Sequence, residues 1–91
     1  MSYEDQTIDE FLDGVASRNV TPAGGTASAL VGAIGTALCE MVCLHTIGKD
    51  GYADVEAEMI DRLDDLGTQR EFLLELADRD ADVVDELLAT S

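Results

Sequence analysis

The sequence predicts an all-α fold, an antiparallel bundle of about four helices around a long, buried, Gly/Ala-rich central helix. Apolar residues recur at intervals of three and four over most of the chain, which is the spacing of a helix face. Strand-like alternation appears nowhere, and no internal repeat is visible. A capping-box sequence at residues 7–10 and a proline-glycine segment at residues 21–25 each mark a helix start.

We expect one domain over residues 1–91. Its helices are predicted near residues 7–17, 24–47, 53–77 and 80–90. The first begins at Thr7, with Glu10 as the reciprocal member of the capping box. Its apolar face is formed by Ile8, Phe11, Leu12 and Val15.

The central helix is the feature around which the rest of the chain is organised. Thr21 can cap it, and Pro22 has no N–H to lose and a φ suited to a first turn. One side of the helix is small, formed by Gly25, Ala29, Gly32, Thr36, Cys39 and Cys43, and another is bulky, formed by Leu30, Ile34, Leu38 and Met41. A helix that is apolar nearly all round must be buried, and its small side allows a second backbone to approach closely.

The C-terminal half of the chain predicts two further helices. The one near residues 53–77 has a long buried stripe, in which Arg70 is the exception. The stripe is formed by Tyr52, Val55, Met59, Leu63, Leu66, Leu73 and Ala77. Residues 78–80 interrupt this pattern, so we expect a separate last helix that Asp80 or Asp82 caps.

Length and charge limit what the chain can be. A chain of 91 residues buries only about two thirds of its unfolded surface, which leaves two alternatives open: a dimer that completes the bundle, or a half-domain whose other half is missing. The formal net charge is −15, and Lys49 is the only lysine. Phosphate binding needs a basic face, so nucleic acid and anionic membranes are disfavoured as partners. Such acidity also suggests a halophilic source, in which salt screens the repulsion between acids.

Cysteines and the N-terminal residues bear on location. Cys39 and Cys43 lie one helical turn apart, which suits a disulfide poorly, and we interpret both as small buried hydrophobes rather than metal ligands. The chain begins with acids where a secretory signal has basic residues, so we predict a cytoplasmic protein. Residues 23–39 are long and uncharged enough to raise a membrane-spanning alternative, but small residues dominate them and Glu40 follows directly.

A set of short motifs follows the order of a known family. These motifs are TPAGGTA at residues 21–27, Met41-Val42, Thr46, Gly48-Lys49 and Tyr52. Together they resemble the cyclodeaminase/cyclohydrolase family of folate enzymes, which includes the C-terminal domain of formiminotransferase-cyclodeaminase and the methenyltetrahydrofolate cyclohydrolases. The acidic segment at residues 78–84 is similar to an acidic segment of the family. The resemblance covers residues 8–88, as the N-terminal half of the family domain.

The resemblance implies an all-helical homodimer that acts on one-carbon adducts of tetrahydrofolate, with no tightly bound cofactor and no metal. Members hydrolyse the methenyl bridge to the formyl derivative, or close the formimino adduct with loss of ammonia. Asp80 matches the family's acidic position, where a carboxylate can orient water against the methenyl carbon or take a proton from nitrogen. Lys49 can pair with a folate carboxylate. Amides at the helix start can hold a carboxylate or a pterin carbonyl, and the residues expected to bind folate are Pro22, Ala23, Gly24, Gly25, Thr26 and Lys49.

Departures from the family pattern leave a second function open. Ala23 replaces the first of three glycines, Leu44-His45 stands where the family has Asn-Leu, and Val84 replaces a phenylalanine. Family domains are also about twice as long, so the ligand cleft of this chain is expected to be incomplete in a monomer. The alternative to a folate enzyme is a non-catalytic helical module for dimerisation or interaction, in which Asp80 is only a helix cap.

Overall fold

A computed structural model describes residues 2–90, and within that range the chain is helical and contains no strand. The all-α class is therefore confirmed. The α-helices are α1 (Ile8–Val15), α2 (Gly24–Thr46) and α3 (Glu56–Thr90), and short 3-10 helices lie at Tyr3–Asp5 and Ala53–Val55. The two long helices, α2 and α3, pack against each other in antiparallel directions. The resulting molecule is elongated, 58 Å long and 24 by 18 Å across.

Helix α1 begins with the capping box that the sequence predicts. Thr7 Oγ1 accepts a hydrogen bond from the Glu10 amide at 3.0 Å, and Glu10 Oε1 accepts one from the Thr7 amide at 3.1 Å. Phe11 packs edge-on against the ring of Tyr3, with 5.6 Å between ring centres. The rest of the apolar face is open, since Ile8 is 81% exposed. Helix α1 therefore has a complete N-terminal cap, but most of its apolar face is exposed to solvent.

Helix α2 buries only one of its sides, which differs from the predicted burial all round. The residues buried against α3 are Thr26, Ala29, Ala33 and Cys43. Most of the bulky side is exposed, namely Ile34, Leu38 and Met41, and other exposed apolar residues of α2 are Val31, Val42 and Leu44. A single neighbouring helix can cover only one stripe of a helix, so the remaining apolar surface faces outward. By length and composition alone α2 is apolar enough to cross a membrane, a property that it shares with core helices of soluble proteins.

Helix α3 is continuous from Glu56 to Thr90, so the two C-terminal helices that we predicted are one. The predicted break at residues 78–80 is wrong for two reasons. Neither glycine nor proline occurs there, and acids are tolerated on an open helix face. In addition, Ala77 and Ala81, one turn apart, are both buried and continue the packing of α3 across the interruption.

Arg70, the charged residue that interrupts the apolar stripe of α3, pairs with Glu40 of α2. Arg70 donates two hydrogen bonds to the carboxylate of Glu40, one from Nε and one from Nη2. The Glu40 side chain is 14% exposed and the Arg70 side chain 42%. The hydrogen bonds and the negative charge of Glu40 raise the pKa of Arg70. Glu40, the one acid of α2, and Arg70, the one charge in the apolar stripe of α3, therefore form an ion pair between the two helices.

Candidate active site

The candidate site lies where α3 crosses the beginning of α2. A Cβ atom placed on Gly25 would lie 2.5 Å from Oδ1 of Asp80 and 2.6 Å from its Oδ2. This separation is shorter than any ordinary contact, so the carboxylate occupies the space that a side chain at position 25 would need. Asp80 remains half-buried and Gly25 exposed. The structure thus brings together two predicted site residues that are 55 positions apart, and it leaves them reachable from outside.

Thr26 lies on the inner side of this contact. Its side chain is completely buried, and Oγ1 donates a hydrogen bond to the carbonyl oxygen of Ala77 at 2.7 Å. The same hydroxyl is 3.4 Å from Oδ2 of Asp80. Thr26 is one of the residues that we expected to bind folate, and within this chain its hydroxyl is buried. Thr26 instead contacts the acid that we expected to be catalytic.

The first turn of α2 leaves amide groups without an acceptor inside the helix. The N-cap residue is Ala23, which has no side chain to cap them. The first helical hydrogen bond runs from the Ala27 amide to the Ala23 carbonyl at 3.1 Å, so the amides of Gly24, Gly25 and Thr26 precede the ladder. Such amides and the positive end of the helix dipole favour an oxygen ligand at this end of α2. Gly24 has open space around it and is exposed.

The loop before α2 fixes where the helix starts. Thr21 does not cap α2 as predicted; its hydroxyl donates to Oδ1 of Asp85 on α3 at 3.2 Å. The peptide bond between Thr21 and Pro22 is cis. The Pro22 ring lies 3.3 Å from the position of a Cβ on Gly14, which places it against the end of α1. Pro22 and Ala23 are half-buried, and their predicted contact with folate stays a prediction.

Lys49 is not part of this cluster within one chain. Helix α2 has 23 residues and is about 34 Å long, and Lys49 follows its far end. There the Lys49 ammonium lies 5.5 Å from the ring centre of Tyr52. The exposed His45 belongs to the same distant end. Lys49 therefore cannot reach a ligand group that Asp80 contacts unless the ligand or a second chain spans that distance.

Two contacts of the site region were missed by reasoning on the sequence. Ser2 Oγ donates to Oδ2 of Asp78 at 2.7 Å, and the Tyr3 amide donates to Oδ1 at 2.9 Å, which holds the N-terminal segment on α3. Burial, together with the charges of Asp85, Asp78 and Asp82, raises the pKa of Tyr3. The ion pair of Glu40 and Arg70 was also missed. The sequence did contain a signal for this ion pair, because Glu40 and Arg70 are each the single charge in an otherwise apolar helix stripe.

The described residues show no group of three or more His, Cys, Asp or Glu side chains arranged to hold a metal ion. Cys39 is exposed and Cys43 buried, and both are free thiols. The expectation that Cys39 is buried is therefore wrong within one chain, because it lies beyond the stripe that α3 covers. Chemically, the site offers one carboxylate beside helix amides that have no acceptor within residues 2–90.

Comparison with known proteins gives two matches and one negative result. A family model described as formiminotransferase-cyclodeaminase matches residues 7–91. A methenyltetrahydrofolate cyclohydrolase from Methylorubrum extorquens is 56% identical over 54 residues, which cover 59% of this chain. The same segment covers 26% of that relative, so the match spans about a quarter of the relative's length. No solved structure gives a significant match.

Proposed function

The chain belongs to the formiminotransferase-cyclodeaminase family, and from that premise we propose that it acts in folate one-carbon metabolism as a methenyltetrahydrofolate cyclohydrolase. The family supports a tetrahydrofolate derivative as the ligand. The identity of 56% with a protein of that name supports the cyclohydrolase activity over the cyclodeaminase activity. The single observation in the structure that carries the proposal is the carboxylate of Asp80 against Gly25 at the start of α2.

The proposed chemistry is the addition of water to the methenyl carbon. Asp80 acts as a general base: it accepts a proton from water while the water oxygen forms a bond to the carbon. The added hydroxyl then loses its proton to solvent, and one of the two C–N bonds of the bridge breaks as its nitrogen takes the proton held by Asp80, which leaves the formyl derivative and the free carboxylate. A carboxylate beside the cationic bridge also attracts it, which favours binding of the methenyl substrate. The amides of Gly24 and Gly25 are placed to bind an oxygen of the ligand.

The negative charge of Asp80 favours one orientation of the folate at the start of α2. We expected amides at the helix start to hold either a glutamate-tail carboxylate or a pterin carbonyl. A tail carboxylate at this point would meet the carboxylate of Asp80, and like charges at short distance repel. The pterin carbonyl is neutral and brings the cationic bridge with it. We therefore place the pterin and bridge at the start of α2 and the tail away from it.

A homodimer is the assembly that we propose for this chain. The bulky side of α2 is exposed in the monomer, and large exposed apolar surfaces mark interaction sites. A second copy packed antiparallel along α2 would cover this side. It would also bring Lys49 of the second copy toward the first copy's Asp80, where its ammonium can pair with the folate tail. The mass in solution, measured by light scattering at high salt, tests this assembly.

The experiment that tests the function is a measurement of methenyl absorbance decay at high salt, with purified protein at several concentrations. A rate proportional to protein concentration and lost in Asp80→Asn supports the cyclohydrolase. A rate equal to that of buffer excludes it and favours the non-catalytic module. Ammonia release from the formimino adduct tests the cyclodeaminase alternative in the same preparation. A cytoplasmic location and a salt-rich cell interior remain predictions from the acidic composition.

A further inference from the structure

We propose that Thr26 is a positioning residue for Asp80 and does not itself contact the folate, an inference that rests on the proposed function of Asp80. Thr26 is the one polar residue classed as buried within residues 2–90. Its hydroxyl is bound to the Ala77 carbonyl at 2.7 Å and lies 3.4 Å from Oδ2 of Asp80. It thus lies behind the carboxylate, on the side away from solvent.

Asp80 needs such a constraint because little else fixes it. A half-buried carboxylate at the edge of a helix contact can still rotate about χ1, and catalysis requires one orientation. The backbone of Gly25 blocks one direction, and the Thr26 hydroxyl contacts one of the two oxygens. Within residues 2–90 no hydrogen-bond donor contacts Oδ1, so that oxygen is available for water. The proposal therefore assigns Oδ2 to positioning and Oδ1 to the proton transfer.

The hydroxyl can serve both states of the acid. A threonine hydroxyl has one hydrogen and two lone pairs. Its hydrogen is donated to the Ala77 carbonyl or to Oδ2 of Asp80, so Oδ2 keeps this partner while Oδ1 holds the proton taken from water. Before that step, the hydrogen can be shared between the carbonyl and the carboxylate. Valine has the shape of threonine and lacks this group, whereas serine keeps the hydroxyl and loses only the methyl.

Three variants and a matched control test the proposal by kinetics. In Thr26→Val we expect kcat to fall about 10- to 100-fold while KM changes less than about threefold, because orientation is lost and binding is not. Thr26→Ser should stay within about threefold of the parent chain. The double variant Thr26→Val/Asp80→Asn should be no slower than Asp80→Asn alone, since residues that act as one unit are not additive. The control is Thr36→Val, whose hydroxyl also bonds a helix carbonyl, Gly32 O at 2.8 Å, and contacts no acid.

A measurement without turnover separates this proposal from the proposed function. The χ1 populations of Asp80, from NMR couplings of labelled aspartate, should show one dominant rotamer in the parent chain and in Thr26→Ser. Averaged rotamers are expected in Thr26→Val, with Asp78 unchanged as the internal reference. An unchanged Asp80 rotamer in Thr26→Val overturns the proposal, as does an additive loss in the kinetic cycle. If the parent chain lacks cyclohydrolase activity, the proposed function fails and the rotamer result alone decides the role of Thr26.

Discussion

The carboxylate of Asp80 occupies the place where a side chain at Gly25 would begin. The lack of a side chain at this position leaves room for the neighbouring carboxylate, and the backbone itself does not demand glycine, since positive φ among the described residues is confined to Gly48 and Gly51. Gly24, directly before it, has no atom within 4 Å of its Cβ position. The two adjacent glycines therefore have different roles: one adjoins open space and the other adjoins the acid.

Substitution of Gly25 should separate activity from stability. In Gly25→Ala the new methyl group displaces the Asp80 carboxylate, so we expect cyclohydrolase activity to be lost. The free energy of unfolding should change by no more than about 1 kcal/mol, because alanine is also the better helix former. Gly25→Val, with two further carbons, should lower the melting temperature as well. Kinetic assays and thermal melts measure both effects, and the control is Gly35→Ala, an exposed glycine of α2 with open space at its Cβ position, which should keep the activity of the parent chain.

Removal of the Asp80 carboxylate should lower turnover strongly and leave the affinity for tetrahydrofolate nearly unchanged. We expect Asp80→Asn to lower kcat by about 10²- to 10⁴-fold, the usual range for loss of a general base. The affinity for tetrahydrofolate, measured by calorimetry, should change little because the helix amides remain. Asp82→Asn, an exposed acid two residues further along α3, is the control. Equal activity in Asp80→Asn and Asp82→Asn would contradict the assignment of Asp80.

The pair of Glu40 and Arg70 should respond unequally to loss of either member. Arg70→Leu leaves the less exposed carboxylate without a partner, so its melting temperature should fall further than that of Glu40→Leu. The double leucine variant should recover much of the loss, because it removes both charges from the interface. Arg62→Leu, which breaks an exposed pair with Glu58, should have little effect. Equal losses in the two single variants would contradict the burial argument.

The capping box of α1 should lower the pH at which the Glu10 carboxyl takes up a proton. Hydrogen bonds from the Thr7 amide and then the Thr7 hydroxyl hold the pKa of Glu10 below its usual range. A depressed folded pKa gives stability that is present above the unfolded pKa and lost as pH falls through the folded pKa. A titration of the Glu10 carboxyl by NMR should show this low midpoint. Thr7→Ala keeps the amide and removes the hydroxyl, so the pKa of Glu10 should move only part of the way back toward its ordinary value, and an unaffected midpoint would contradict the contribution of the hydroxyl.

Salt should stabilise the chain. With a formal net charge of −15, repulsion between acids opposes the compact state, and added salt screens it. We expect the melting temperature to rise from low to molar KCl, with a parallel rise in the apparent mass if the exposed side of α2 associates. Urea melts at matched KCl distinguish screening from aggregation. A melting temperature independent of KCl would remove the main support for a halophilic source.

Local patterns predicted the elements of this fold better than the contacts between them. The capping box at Thr7 is present, and the all-α class is confirmed. The interruption at residues 78–80 was misleading, because an open helix face tolerates acids and the alanines beneath them continue the packing. Resemblance supplied Gly25 and Asp80 as separate positions. Their contact depends on how α3 crosses α2, which no local pattern in either helix specifies.

The side chains buried between α2 and α3 include four that are small, Ala29, Ala33, Ala77 and Ala81. Small side chains interdigitate shallowly, so they give little resistance to one helix translating along the other. The paired charges of Glu40 and Arg70 oppose that translation, because a displacement of one turn, about 5.4 Å, would separate them. The same displacement would move Ala77 or Val84 toward Gly25 in place of Asp80. An ion pair ten residues from Asp80 along α3 therefore helps to select which side chain stands at the start of α2.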